Sequence, residues 1–535
     1  MRLLGILLMA GLLLAATGVQ ADQVTLVDKG QPTAAIVIAQ EPTRAAQLAA
    51  AELQWHIEQI TGITMPVVKD NRVVRGTQIL VGESAATVAL GLHSADFKPQ
   101  EYLVRVRPDV IVLMGRDKDD RQPFDYANHT TWPGWYDEQA TTYAAYDFLE
   151  KLCDVRWYLP TELGICLPRR PNLAVSEIEI RRVPAMTTRD TWRGGNFPAD
   201  LCGDSVTGGH PIPPLEPREM KLWWHRLRVV GGEARSANHS LYHYYELYWE
   251  PSTNPRLAQL FRGKKPEWFA QGYEGKPPQM CYTNQELIQQ VIQEARDYFD
   301  RGGYPPEIRQ LCNAPQGAKW GENYFAVVPM DNSSYCKCPQ CQALLDAQAD
   351  KQQFSSGHWS DYMFTFVNEI ARGIAETHPD KQISAIAYAS YAWPPRHVKV
   401  EPNVAVSMCL HTRNVYGLSL QDNDHALLDA WFQESPTRPK GVYMYFCFPA
   451  LNARQQGFRC FPGFFAHSLV KEMQRYHQAG VTAITYEPSY LANGQRSALM
   501  DQLEMLIAAK MADDPTMDGN AYIDEFFTRY YGRAA

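Results

Sequence analysis

From about residue 185 onward, short apolar runs alternate with longer stretches of helical period, and this rhythm limits the fold more than any other feature of the chain. Such runs read as buried strands, and the amphipathic stretches between them as crossover helices. We place strands at Met186–Trp192, Leu227–Glu233, Gln279–Tyr282, Tyr324–Met330, Ile383–Tyr388, Val404–Met408, Gly441–Phe446 and Val481–Tyr486. Helices fall near Glu286–Phe299, Asp361–Thr377, His425–Phe432, Phe465–Gln478 and Ser497–Met511. Strand and helix in strict alternation predict a parallel sheet closed into a (β/α)8 TIM-type barrel over residues 185–535.

A small α/β domain is expected before it, over residues 22–171. Thr33–Ala39 reads as a strand, and Pro42 opens a helix with Leu48, Leu53, Ile57 and Ile60 on its buried side, ended by Gly62. Strands follow at Met65–Val68 and Ile79–Gly82, and Pro108-Asp109 turns a hairpin between Tyr102–Val106 and Val110–Met114. Thr142–Leu152 is a second helix. The extended, charged stretch 172–184 reads as a connector.

Residues 1–21 carry Arg2, an apolar run from Leu3 to Ala16 and the small-residue site Val19-Gln20-Ala21, the pattern of a secretory signal peptide. The expectation is export, to the periplasm or the medium. No later apolar run reaches transmembrane length. With Lys+Arg at 51 against Asp+Glu at 59, the net charge of −8 removes the basic footprint a nucleic-acid partner would need.

Eleven cysteines are an odd number for an exported chain. Cys336, Cys338 and Cys341 crowd one turn. Export favours a disulfide within the cluster, or from it to Cys312 or Cys281; the alternative is a structural zinc, whose fourth ligand the spacing does not name. No other metal or cofactor is expected.

Catalytic groups of such barrels lie just past the C-terminal ends of the strands. There the fourth strand delivers Asp331 and the eighth Glu487. The neighbouring ends bring Arg189, His239, Tyr388, Trp393, His411, Arg413 and Tyr445 as substrate-binding candidates. Two acids among aromatic rings suit glycoside cleavage: rings cover the apolar faces of sugars, while one carboxyl acts as acid and the other as base or nucleophile. Each residue also has an ordinary structural use. Asp331 before Asn332-Ser333-Ser334 can cap a turn, the histidines can be satisfied core groups, and Arg189 can pair with a barrel acid.

The segments Ala49-Ala50-Ala51-Glu52-Leu53-Gln54, Ile60-Thr61-Gly62 and Val155-Arg156-Trp157-Tyr158-Leu159-Pro160 resemble the N-terminal domain of bacterial α-glucuronidases, related to that of β-hexosaminidases. Pro266-Glu267-Trp268-Phe269, Met280-Cys281-Tyr282-Thr283-Asn284, the run from Asp331 to Cys341, and Tyr530-Tyr531-Gly532 resemble the bacterial family described as domain of unknown function 4838. The resemblance implies a glycoside-hydrolase-like barrel and a poly- or oligosaccharide substrate. It also marks a departure: α-glucuronidases carry a glutamate where Ser333 stands, and hexosaminidases an acid where Asn332 stands. An amide cannot donate a proton as a carboxylic acid does, so Asp331 needs Glu487 or another acid as its partner. The reading is a glycoside hydrolase; a catalytically silent carbohydrate-binding protein and a polysaccharide lyase are the alternatives.

Overall fold

The structure is a computed structural model that describes residues 23–191, 217–235, 239–311, 323–349, 353–413, 418–447, 464–487 and 501–534. The expected leader, Trp192 and Cys312 lie outside them.

The N-terminal unit is built on a six-stranded mixed sheet in the order Ile178–Arg182, Tyr102–Arg107, Val110–Gly115, Thr77–Val81, Ala34–Ile38, Val67–Lys69. The helix Arg44–Thr61 begins where Thr43 Oγ1 accepts the Ala46 N–H and ends where Gly62 turns left-handed at φ 75°. Leu48, Leu53, Ile57 and Ile60 are all buried, as the helical period requires. The hairpin also forms where expected, with Asp109 taking the positive φ of its turn. The stretch 172–184 is extended and paired. Leu173–Ser176 pairs with Gln23–Asp28, and Ile178–Arg182 pairs with Tyr102–Arg107, so this stretch adds edge strands to two sheets of the N-terminal unit.

The second unit is a curled parallel sheet of six strands, in the order Thr188–Thr191, Val481–Glu487, Lys440–Tyr445, Val404–Leu410, Gln382–Ala387, Tyr324–Ala326. That is a half-barrel, with the first strand beside the last. The helices Gln285–Arg301, Ser360–Ala375, Leu418–Glu434, Ala466–Gln478 and Gln502–Asp513 alternate with its strands.

Two expected strands are not strands. Leu227–Glu233 continues from the end of the helix Pro217–Arg226, and positive φ at Arg228, Gly231 and Gly232 breaks its extension. A Cβ on Gly231 would lie 1.9 Å from the Tyr143 hydroxyl, so the close approach itself demands glycine. Gln279–Tyr282 makes one bridge, Phe269 to Met280, and no ladder. No described helix is long and apolar enough to cross a membrane.

The two units meet over buried charge. Arg226 grips Glu52 with two bonds of 2.8 and 3.1 Å. Arg228 reaches Glu150 at 2.8 Å and Asp513 at 3.0 Å, while Arg182 reaches Asp513 at 2.6 Å. Lys510 completes the set against Glu150. Burial alone would raise Glu52 and Glu150, but the facing cations outweigh it and hold each near a pKa of about 2.

Candidate active site

All six strands of the half-barrel run one way, so their C-terminal ends open at one edge. Cys409 is paired with Tyr443, and Tyr445 with Glu487. Because side chains alternate along a strand, Cys409, Tyr443, Tyr445 and Glu487 share one face. The Tyr443 hydroxyl donates to Glu487 Oε2 at 3.1 Å.

Asp331 follows the Tyr324–Ala326 strand and lies beside residues from two other elements. His239 Nε2 lies 3.3 Å from its Oδ1, the Tyr388 hydroxyl donates to its carboxylate, and its own N–H donates to the Tyr242 hydroxyl at 2.9 Å. His239 Nδ1 donates to the Pro329 carbonyl. The hydrogen bond from His239 holds the Asp331 carboxyl below the usual range against the opposing effect of partial burial. The Asp331 side chain is still 56% exposed, so a ligand can reach it.

An arc of rings joins the two acids. His239 meets Tyr388 at 5.9 Å between centroids, Tyr388 meets Phe354 at 5.7 Å, and Phe354 meets His411 at 5.2 Å. His411 then meets Tyr445 at 5.6 Å, and Tyr445 meets Tyr443 at 5.1 Å. His411 is oriented by Asp424, which accepts its backbone N–H at 2.7 Å and its Nδ1–H at 3.2 Å. Burial raises the Cys409 thiol, and the charges of Glu487 and Asp331 both add to that rise. The Tyr388 hydroxyl is raised the same way, by burial first and then by Asp331 and Glu487.

Three expected binding residues have structural partners of their own. Arg189 is buried at the seam: its Nε donates to the Arg228 carbonyl at 2.7 Å, and its Nη groups donate to Gln100, the Met186 carbonyl and the Tyr143 hydroxyl. Arg413 is buried too, with Nη1 on the Phe446 carbonyl at 3.0 Å and 3.3 Å from Asp501. Trp393 is half-buried; its Nε1 donates to the Ser355 carbonyl, which places it behind the loop carrying Phe354. Phe354, Tyr242 and Asp424 were not anticipated. Of these only Phe354 carried a signal, as a large ring in the polar run Phe354-Ser355-Ser356-Gly357.

The cysteine cluster gains a member. Cys281 joins Cys336, Cys338 and Cys341, all buried and free, with their Sγ atoms within 4.8 Å of one another. Away from the edge, a cavity of about 60 Å³ lies against Glu294. It is too small for a sugar ring, and His243, Tyr244 and Tyr304 already occupy that carboxylate.

The profile of the family described as domain of unknown function DUF4838 matches residues 159–535. The chain belongs to the DUF4838 family. No curated protein matches this DUF4838 chain. Among solved structures it is similar to a family GH115 4-O-methyl-α-glucuronidase with specificity for decorated arabinogalactans, at 11% identity and a TM-score of 0.47 over 95% of this chain and 60% of that one. It is similar to the N-acetyl-β-hexosaminidase of Streptomyces plicatus at 11% identity and a TM-score of 0.45, over 96% and 93% of the two chains. A family 89 glycoside hydrolase from Clostridium perfringens follows at 10% identity and a TM-score of 0.44, over 91% and 51%. The DUF4838 chain thus spans 60% of the glucuronidase's length.

Proposed function

We propose that this protein is an exported glycoside hydrolase that cleaves a complex glycan by two-carboxylate chemistry, on a barrel completed by the segments 227–235 and 279–282. The observation that carries the reading is the pair Asp331 and Glu487 on one strand edge, joined by an arc of aromatic rings. In such chemistry one carboxyl protonates the leaving oxygen while the other stays ionised. Asp331, held ionised by His239, serves as base or nucleophile, or orients the substrate. Glu487, whose Oε2 accepts the Tyr443 hydroxyl, supplies the second carboxyl. Tyr388 and Phe354 offer flat apolar surface to sugar faces.

The silent-binder alternative draws on Asn332. Its Nδ2 donates to the Pro278 carbonyl and its Oδ1 accepts the Ser334 N–H, so it is spent on the loop. A product assay separates the readings, using purified protein and a panel of uronic-acid-decorated, N-acetylated and neutral glycans. The hydrolase reading expects sugar release that is lost in Asp331→Asn and Glu487→Gln. Release undiminished in both variants overturns the site. Glycan retention without release favours the binder, and an unsaturated, ultraviolet-absorbing product favours a lyase.

A further inference from the structure

The four-cysteine cluster lies off the strand edge and takes no part in the proposed chemistry. Cys281 arrives from the loop after the Phe269–Met280 bridge, and the other three from the loop that follows Asp331. The Sγ of Cys281 is 3.7 Å from that of Cys341 and 4.0 Å from that of Cys338. Four sulfurs around one zinc at about 2.3 Å stand about 3.8 Å apart along the edges of their tetrahedron. The observed separations match such an edge.

The surroundings treat these sulfurs as acceptors. The Gln271 N–H donates to Cys336 Sγ at 3.3 Å, the Cys341 N–H to Cys338 Sγ at 3.4 Å, and the Tyr362 hydroxyl to Cys341 Sγ at 3.2 Å. Thr283 Oγ1 lies 3.1 Å from Cys341 Sγ and 3.6 Å from Cys281 Sγ. A neutral thiol is a weak acceptor, whereas a metal-bound thiolate carries charge that such bonds spread. Cys338 also caps the short helix Pro339–Gln342, which turns Cys341 back toward it and gives the Cys-x-x-Cys pair its bite.

We infer that Cys281, Cys336, Cys338 and Cys341 hold one structural zinc ion as a closed tetrathiolate. Four protein sulfurs leave no open position, so the ion binds no substrate. It ties the 268–284 segment to the loop leaving Asp331, beside the direct bonds from Gln279 Nε2 to the Met330 and Asn332 carbonyls. Binding releases the thiol protons, so no oxidant is required. The assignment does not rest on the hydrolase reading.

The test is metal analysis of full-length protein purified without chelator, paired with cysteine alkylation and mass measurement. The expected result is about one zinc per chain, released in step with mercurial titration of four thiols, and falling below about a tenth of an equivalent in Cys281→Ser but not in Cys153→Ser. Should Cys281→Ser fail to fold, cobalt exchanged into the wild-type protein gives an independent readout, the ligand-field bands of a tetrahedral tetrathiolate. Metal-free wild type, with a disulfide among these four or with all four reduced, overturns the proposal. So does zinc retained by both Cys281→Ser and Cys338→Ser, or cobalt bands of an oxygen-ligated octahedral site.

Discussion

At the seam between the two units, Glu52, Glu150 and Asp513 are buried against Arg226, Arg228, Arg182 and Lys510. At the C-terminal edge of the parallel sheet, the described residues set histidine and tyrosine beside Asp331 and tyrosine beside Glu487, and Asp331 is more than half exposed. The seam acids are answered by opposite charge at close range and shielded from water, so their charge is spent on joining the two units. The edge acids meet polarisable, protonatable partners, so their charge remains usable on a ligand. Burial and partner type, more than residue type, separate a structural carboxylate from a chemical one.

The comparison breaks first if the seam tolerates the loss of a cation. Arg226→Ala strands Glu52 in the interior and should cost about 3–5 kcal/mol, read as a fall in the denaturant midpoint. A loss below about 1 kcal/mol would mean that water reaches the seam.

Acid should act around the seam in two stages. Trp157 Nε1 donates to His56 Nε2 at 2.9 Å, a bond that needs the neutral ring. Burial lowers His56 to about 4 and His225 to about 3. The unfolded chain then binds more protons below the ordinary histidine pKa of about 6.5, and stability declines as pH falls from there. Glu52 and Glu150, depressed to about 2, add a second decline below their unfolded pKa, near 4.3. The urea midpoint against pH should show both, and His56→Gln with His225→Gln should flatten the upper stage.

Smaller effects sharpen the edge. Tyr443→Phe removes one hydrogen bond to Glu487 and should lower kcat/KM about tenfold with the fold intact, the scale of a bond to a charged group. His239→Gln removes the main support of the depressed Asp331 carboxyl, so the acidic limb of kcat/KM should move to higher pH. An unmoved limb would separate Asp331 from the rate. Arg121→Ala, which breaks a surface pair with Asp119 whose side chains are 50% and 78% exposed, should change stability by less than about 0.5 kcal/mol.

Elements set by local signals could be read in advance. Thr43 and Gly62 bound a helix, Asp109 turns a hairpin, and the strands bearing Cys409, Tyr445 and Glu487 are apolar runs of the right length. Asp331 and Glu487 were legible for the same reason, since strand ends name them. What escaped depended on distant partners. Leu173–Ser176 is a strand only because Gln23–Asp28 lies beside it. Arg189 belongs to the seam because Gln100 and Tyr143 wait there. The Leu227–Glu233 run has the apolar content of a strand, but positive φ at Arg228, Gly231 and Gly232 breaks it.

The most direct test measures glycan cleavage per folded molecule in Asp331→Asn and Glu487→Gln beside wild type, with the unfolding midpoint taken on the same samples. The account predicts turnover down by about 10²–10⁴ in both, at a midpoint within about 0.5 kcal/mol of wild type. Wild-type turnover in either variant would contradict it, as would a loss of activity that only tracks a loss of fold.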